Sequence, residues 1–253
     1  MVLVEFIENI GDTVVTHSIR TYDFLLFLFK CIGQIFSLNS YSSSSIDFLI
    51  KQIYVSSIKH LFSFVFLSLF LGSIFIVVAI SFAMNFNLLE QIAELLVLFV
   101  FNEFSPFFTT IFFILTYSLS SQEEIQNIKK EKSSLFNEIY VPKILNAIFM
   151  VPLLSLLCAS IMISSGYIVS SFYLNIDLMT YKNMILNSIN LSNIFVLLLK
   201  GSIFGFISIF IPVYFGHKLE KNSLGLTQAI IRILIIILSM LLLSELLSIL
   251  IIY

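Results

Sequence analysis

Three ionisable side chains interrupt long apolar runs of this chain: Glu103 in Asn102-Glu-Phe-Ser-Pro106, Lys200 in Leu199-Lys-Gly-Ser-Ile-Phe-Gly205, and Glu245 in Leu243-Ser-Glu-Leu-Leu247. An ionised group in hydrocarbon is costly unless it is paired, hydrated or functional. Glu103 and Lys200 could stabilise each other's charged forms or orient a polar head group. The bland alternative for both is a side chain that snorkels to water near a helix end. Glu245, near the end of its run, is expected at the interface. Other chemistry lacks its parts. His17, His60 and His217 are scattered, with no HExxH spacing and no Cys or Asp cluster to complete a metal site. Cys31 and Cys158 each sit in an apolar run, where a thiol behaves as a small hydrophobe. No GxSxG elbow and no glycine-rich phosphate loop occurs. These gaps argue against a lipid-modifying enzyme or a nucleotide-binding chain, and no cofactor or metal is expected.

The elements that must hold these groups are membrane helices. Of 253 residues, 59% are hydrophobic and 11% charged, roughly half the charged share of a soluble domain. The net charge of -2 does not suit a nucleic-acid binder. A hydrocarbon core about 30 Å thick needs ~20 apolar residues in a helix. Leu61 to Ala83 and Ile144 to Tyr173 are uncharged; Leu95 to Ser118, Ile194 to Phe215 and Ile233 to Tyr253 are broken only by the polar residues named above. Continuous apolarity, rather than alternation, predicts five transmembrane helices and an all-α integral membrane fold. At 1.5 Å per residue, Glu103 and Lys200 fall within ~3 Å of the same depth.

Residues 1–60 read as interfacial and elbow helices, and residues 61–253 as a five-span domain. Leu3, Ile7, Ile10 and Val14 share one helical face, the pattern of a helix lying in the interface. The apolar stretch Phe24 to Phe29 is too short to span. Past Tyr41-Ser-Ser-Ser-Ser45, the residues Ile46, Ile50, Ile53, Tyr54 and Ile58 oppose Lys51, Gln52, Ser56 and Lys59, an elbow feeding the first span. Lys and Arg concentrate before the first span, between the second and third, and between the fourth and fifth, leaving Lys182 and the intramembrane Lys200. By the positive-inside bias the amino terminus is cytoplasmic and the carboxyl terminus outside.

The connection after the second span carries Ser121-Gln-Glu-Glu124 at capping-box spacing, followed by Lys129, Lys130 and Lys132. This predicts a separate helix of about 121–138 that starts near Ser121, with Ile125 and Ile128 on one face. It either docks in a partner's groove or is a solvated connector.

In order and spacing, these features resemble the MlaE (YrbE-type) permease family of ABC lipid transporters that work with MCE-domain proteins. The resemblance begins at Leu49-Ile-Lys-Gln-Ile-Tyr54 and runs through Gly72 to Asn102-Glu-Phe-Ser-Pro106, where the family pattern is Arg-Glu-Leu-Gly-Pro. It resumes at Glu123-Glu-Ile-Gln-Asn-Ile128 and Val141-Pro-Lys143, and continues through Pro152-Leu-Leu154, Lys200, Phe204-Gly205, Gly216, Gly225 and Thr227-Gln-Ala-Ile-Ile231. Asn102 replaces the family's Arg, and the small-residue segment before Glu123 is shortened to little more than Ser118 to Gln122.

The resemblance implies a homodimer in the bacterial inner membrane, a cytoplasmic ABC ATPase, an MCE-domain partner in the periplasm, and room for a STAS-type regulatory subunit. A phospholipid would sit against Phe75, Phe82, Ala83 and Phe86, with Glu103 and Lys200 nearby. Glu123, Glu124, Ile125 and Ile128 would couple to the ATPase. ATP hydrolysis would belong to the partner, making this a non-catalytic subunit. The competing expectation is an ATP-independent envelope lipid-binding or scaffold protein, which would need no coupling helix.

Overall fold

The computed structural model describes residues 22–37, 41–86, 89–128, 136–173, 177–218 and 226–252. The described residues are helical almost throughout and include no strand. Five helices are long and apolar enough to cross a membrane: Ser43–Phe86, Glu94–Asn127, Phe136–Phe172, Leu191–Lys218 and Gln228–Leu250. The chain is thus an all-α, multi-pass membrane protein with the five spans expected. The amphipathic stretch Leu3 to Val14 lies outside the described residues.

The third span is the centre of the bundle, packed on the first, second and fourth, and the fifth lies against the fourth. Apolar burial cannot drive helix association in lipid, so close backbone approach must do so. Gly201 and Gly205, four residues apart on the fourth span, supply it. A Cβ on Gly205 would stand 2.4 Å from the Ala147 carbonyl oxygen, and one on Gly201 2.8 Å from Pro152 Cα, both on the third span. Lys200 is therefore carried on a helix whose position admits no bulkier packing.

The second span is one continuous helix with two wide turns, at Phe99–Phe104 and Ile114–Ser118. The first contains Asn102 and Glu103. Pro106 is the second residue of Ser105–Phe113, just past that wide turn, where the helical ladder is already locally rearranged. The Glu-x-x-Pro segment is thus a wide turn that carries the helix past the proline, rather than a break.

Two expectations about the soluble-looking pieces are corrected. No helix starts at Ser121, because Leu119–Ile128 continues directly from the wide turn before it. Ser121 is buried and its Oγ donates 3.2 Å to the Tyr117 carbonyl, one turn back, instead of capping. The capping-box spacing is satisfied by chance in mid-helix. Residues 129–135 of the expected 121–138 helix lie outside the described residues, and by Phe136–Tyr140 the third span has begun.

The elbow Ser43–Ile58 is helical as expected, but the uncharged part of its polar side points into the protein while Lys51 and Lys59 stay exposed. Gln52, Ser56 and Ser57 are buried while Ile46, Ile50, Tyr54 and Ile58 are exposed. Lipid is the apolar solvent here, so the polar side seeks partners on other helices.

Two shorter helices also lie among the described residues. Residues 22–35 dock through Phe24, Phe27 and Cys31 onto Phe136, Tyr140, Phe210 and Tyr214. Leu178–Ser188, between the third and fourth spans, starts at Asp177, whose carboxylate accepts from the Thr180 N–H at 3.3 Å and its Oγ1 at 2.5 Å. Those bonds hold the Asp177 carboxyl below the usual carboxylate range.

Candidate functional site

Glu103, Lys200 and Glu245 meet inside the bundle. The Lys200 ammonium donates to Glu103 Oε2 and lies 2.9 Å from Glu245 Oε2. Lys200 is 4% exposed and each glutamate side chain 16%. Three helices supply one residue each: the wide turn of the second span, the glycine-bearing stretch of the fourth, and the carboxyl-terminal half of the fifth. Two carboxylates share one ammonium, so no protonation pattern with all three ionised is neutral. Glu103 Oε1 is buried with no hydrogen-bond partner among the described residues, and Glu245 Oε2, although at ion-pair distance, is off line for a hydrogen bond. The cluster therefore retains acceptor capacity. Asn102 beside it is 2% exposed, and its Oδ1 also has no partner among the described residues.

Glu245 was expected at the interface; the structure corrects this. The depth count that aligned Glu103 with Lys200 also finds it. Glu103 is ninth from the start of Leu95 to Ser118, and Glu245 is ninth from the end at Tyr253 on a helix of opposite direction. That count places all three within about one helical turn of the same level.

The aromatic row of the first span lies on an open face. Phe75, Phe82 and Phe86 are each more than two-fifths exposed. Phe75 packs 4.9 Å from Phe104 and 6.2 Å from Phe99, both in the wide turn that carries Glu103. The rings of Phe82 and Phe86 pack against each other at 4.7 Å, tilted by 41°, on the same helix as Phe75 and two to three turns further on. Ala83 shares that helix. The row thus forms an apolar wall that starts beside the ion cluster, rather than an enclosed cavity within one chain.

At the other end of the second span, Glu123 is exposed and Glu124 half-buried. Ile125 is wholly buried in the chain's own core. A Cβ on Gly216 would stand 3.1 Å from Ile125 Cγ2, so the fourth span passes directly over it. The outward face of this helix end carries Glu123 and Asn127. Ile128 ends the helix.

No group of His, Cys, Asp and Glu able to hold a metal occurs among the described residues. A search of curated proteins found no match to the chain. The family model described as Permease MlaE matches residues 49–251, from the elbow through the fifth span, and the helix 22–35 precedes the matched region. The chain belongs to the MlaE permease family, the membrane permease components of lipid ABC transporters.

Proposed function

We propose that the chain is one half of a homodimeric permease that moves phospholipid between the bacterial inner membrane and an MCE-domain partner outside it, driven by a separate cytoplasmic ATPase. The observation that carries this is the ion cluster Glu103–Lys200–Glu245 beside an open aromatic wall, in a chain of this family. Acyl chains favour the aliphatic and aromatic surface of Phe75, Phe82, Ala83 and Phe86. The Lys200 ammonium suits a phosphodiester, and the carboxylates hold it in place until a phosphate competes for it. An apolar wall exposed on a single chain is covered by lipid or by a second copy, which accords with a lipid held between two protomers.

The amino terminus lies in the cytoplasm and the carboxyl terminus in the periplasm, in keeping with the basic residues of the connections. On that orientation the end of Leu119–Ile128 faces the ATPase, with Glu123 as its outward contact, while Glu124 and Ile125 work from inside. Whether a STAS-type subunit adds regulation is decided by what co-purifies.

The test is reconstitution of the chain with an ABC ATPase and an MCE-domain protein in vesicles, with the bound lipid identified by mass spectrometry. ATP-dependent transfer of phospholipid, reduced by Lys200→Met, is expected. Lipid binding that is indifferent to ATP would instead favour the scaffold reading.

A further inference from the structure

Gln52 in the elbow, Glu124 at the end of the second span and Lys143 at the start of the third are far apart in sequence, yet they meet in one buried cluster. Lys143 is fully buried; its Nζ lies 2.5 Å from Glu124 Oε2, 3.3 Å from Ser121 Oγ and 3.5 Å from Gln52 Oε1. The Tyr117 hydroxyl donates to Gln52 Oε1 at 2.7 Å, and Gln52 Nε2 donates to Glu124 Oε1 at 3.4 Å. One turn further on, Asn146 Nδ2 donates to Ser56 Oγ at 3.0 Å, tying the elbow to the third span a second time. These contacts join three helices at one point, and the functional reading above makes no use of them.

An ion pair is a poor choice if holding helices together is all that is required. Well-packed apolar side chains do this as well or better, because a buried charge pair must overcome its own desolvation. What an ion pair adds is direction: bonds of fixed length and angle forbid the sliding that apolar contact allows. On its other side, the same helix end is clasped by the fourth span, where a Cβ on Gly216 would come 3.0 Å from the Gln122 carbonyl oxygen. Leu119–Ile128 is therefore held on two sides while Glu123 stays exposed.

We infer that Lys143, Glu124, Gln52 and Tyr117 form a latch that makes the elbow, the end of the second span and the third span move as one body when a partner displaces the exposed face of Leu119–Ile128. Lys143 is a positioning residue: it touches neither lipid nor partner and acts through Glu124. The inference rests on the permease reading above, and supplies the route by which force at the helix end reaches the third span, onto which the lipid-facing first span and the Lys200-bearing fourth span pack.

The experiment uses the complete transporter with its ATPase in vesicles, reading lipid moved per ATP hydrolysed. Lys143→Met and the neutral pair Lys143→Met/Glu124→Gln are expected to assemble and hydrolyse ATP while lipid moved per ATP falls about tenfold, equivalent to ~1.4 kcal/mol of lost coupling. Lys143→Arg, which keeps charge and donors, is expected to retain most of the ratio. An unchanged ratio in the neutral pair overturns the latch, as does an arginine variant as impaired as the methionine one. Because the neutral pair removes the buried Lys143 charge together with its half-buried partner, its thermal unfolding is expected close to that of the unaltered protein; failure to fold would make the cluster a structural clasp and overturn the inference too. An unaltered complex that moves no lipid with ATP overturns the permease reading and the latch with it, whereas transport with a preserved ratio in every variant overturns the latch alone.

Discussion

Removing Lys200 tests whether the three intramembrane charges act as a unit. Its ammonium sits 2.9 Å from Glu245 and is bonded to Glu103. At an effective dielectric of ~20, attraction over 2.9 Å amounts to ~6 kcal/mol. Desolvation of the charges offsets most of that, and what a measurement reads is the cost of leaving a partner orphaned, ~3 kcal/mol for a buried pair. Lys200→Met should therefore destabilise the protein by about that amount, since it leaves two carboxylates facing each other. Either glutamate alone should matter much less. With Glu103→Gln or Glu245→Gln, the lysine keeps one carboxylate, and the expected loss is ~1 kcal/mol. Replacing both strands an ammonium only 4% exposed, so the double variant should lose more than the sum of the singles by ~1–2 kcal/mol. Glu103→Gln with Lys200→Met should lose less than its sum, because the first change removes a partner that the second would have orphaned. Denaturation of the purified protein in detergent measures the cycle, and ATP-dependent lipid transfer measures its functional side. Additive losses in the double glutamine variant, or a Lys200→Met protein as stable as the original, would refute the shared-cation argument.

Ile125→Asp should destabilise the protein by ~4 kcal/mol, as expected for an unpaired carboxylate at a fully buried site; loss of ATPase association with an unchanged unfolding midpoint would instead place Ile125 on the outside. In a variant lacking Cys31 and Cys158, single cysteines at Asn183 and Ser133 should react with an impermeant thiol reagent in intact cells only at 183, and labelling at 133 would reverse the orientation. Hydrogen bonds from Thr180 hold the Asp177 carboxyl below its ordinary range. The cap on Leu178–Ser188 is therefore complete above the ordinary aspartate range and weakens as pH falls through the depressed native value. Amide exchange in that helix should accelerate under acid, and Asp177→Asn should abolish the pH dependence.

Five spans were legible because the lipid requirement is written in run length, and a continuous apolar run of span length has few other uses. The Glu103–Lys200 pairing was legible for a similar reason: rise per residue converts position into depth. Glu245 escaped because its nearness to Tyr253 was read as interfacial, although it is ninth from that end, as Glu103 is ninth from the start of its own run, which places the two level. Pro106 does not break the second span, because the wide turn at Phe99–Phe104 lies just before it and the helix continues, and no local pattern announces such a turn. Ser121 shows the converse failure. Its spacing to Glu124 satisfies the capping rule, yet Tyr117 and the wide turn behind it extend the helix through that position.

The elbow shows where a pattern ends and tertiary structure begins. Alternation of Ile46, Ile50, Tyr54 and Ile58 with Gln52 and Ser56 establishes that the helix has two faces, but not which one meets the protein. In water the apolar face would turn inward. In lipid the polar face does, because Gln52 and Ser56 find Tyr117, Lys143 and Asn146 there and would find nothing in hydrocarbon. Once that inversion is made, the sequence stretches around Gln52, Glu124 and Lys143 stop being three separate motifs. Each contributes one polar side chain to a single buried point, and a polar residue on an elbow, a glutamate in a helix end and a basic residue after Val141-Pro142 become reasons for one another.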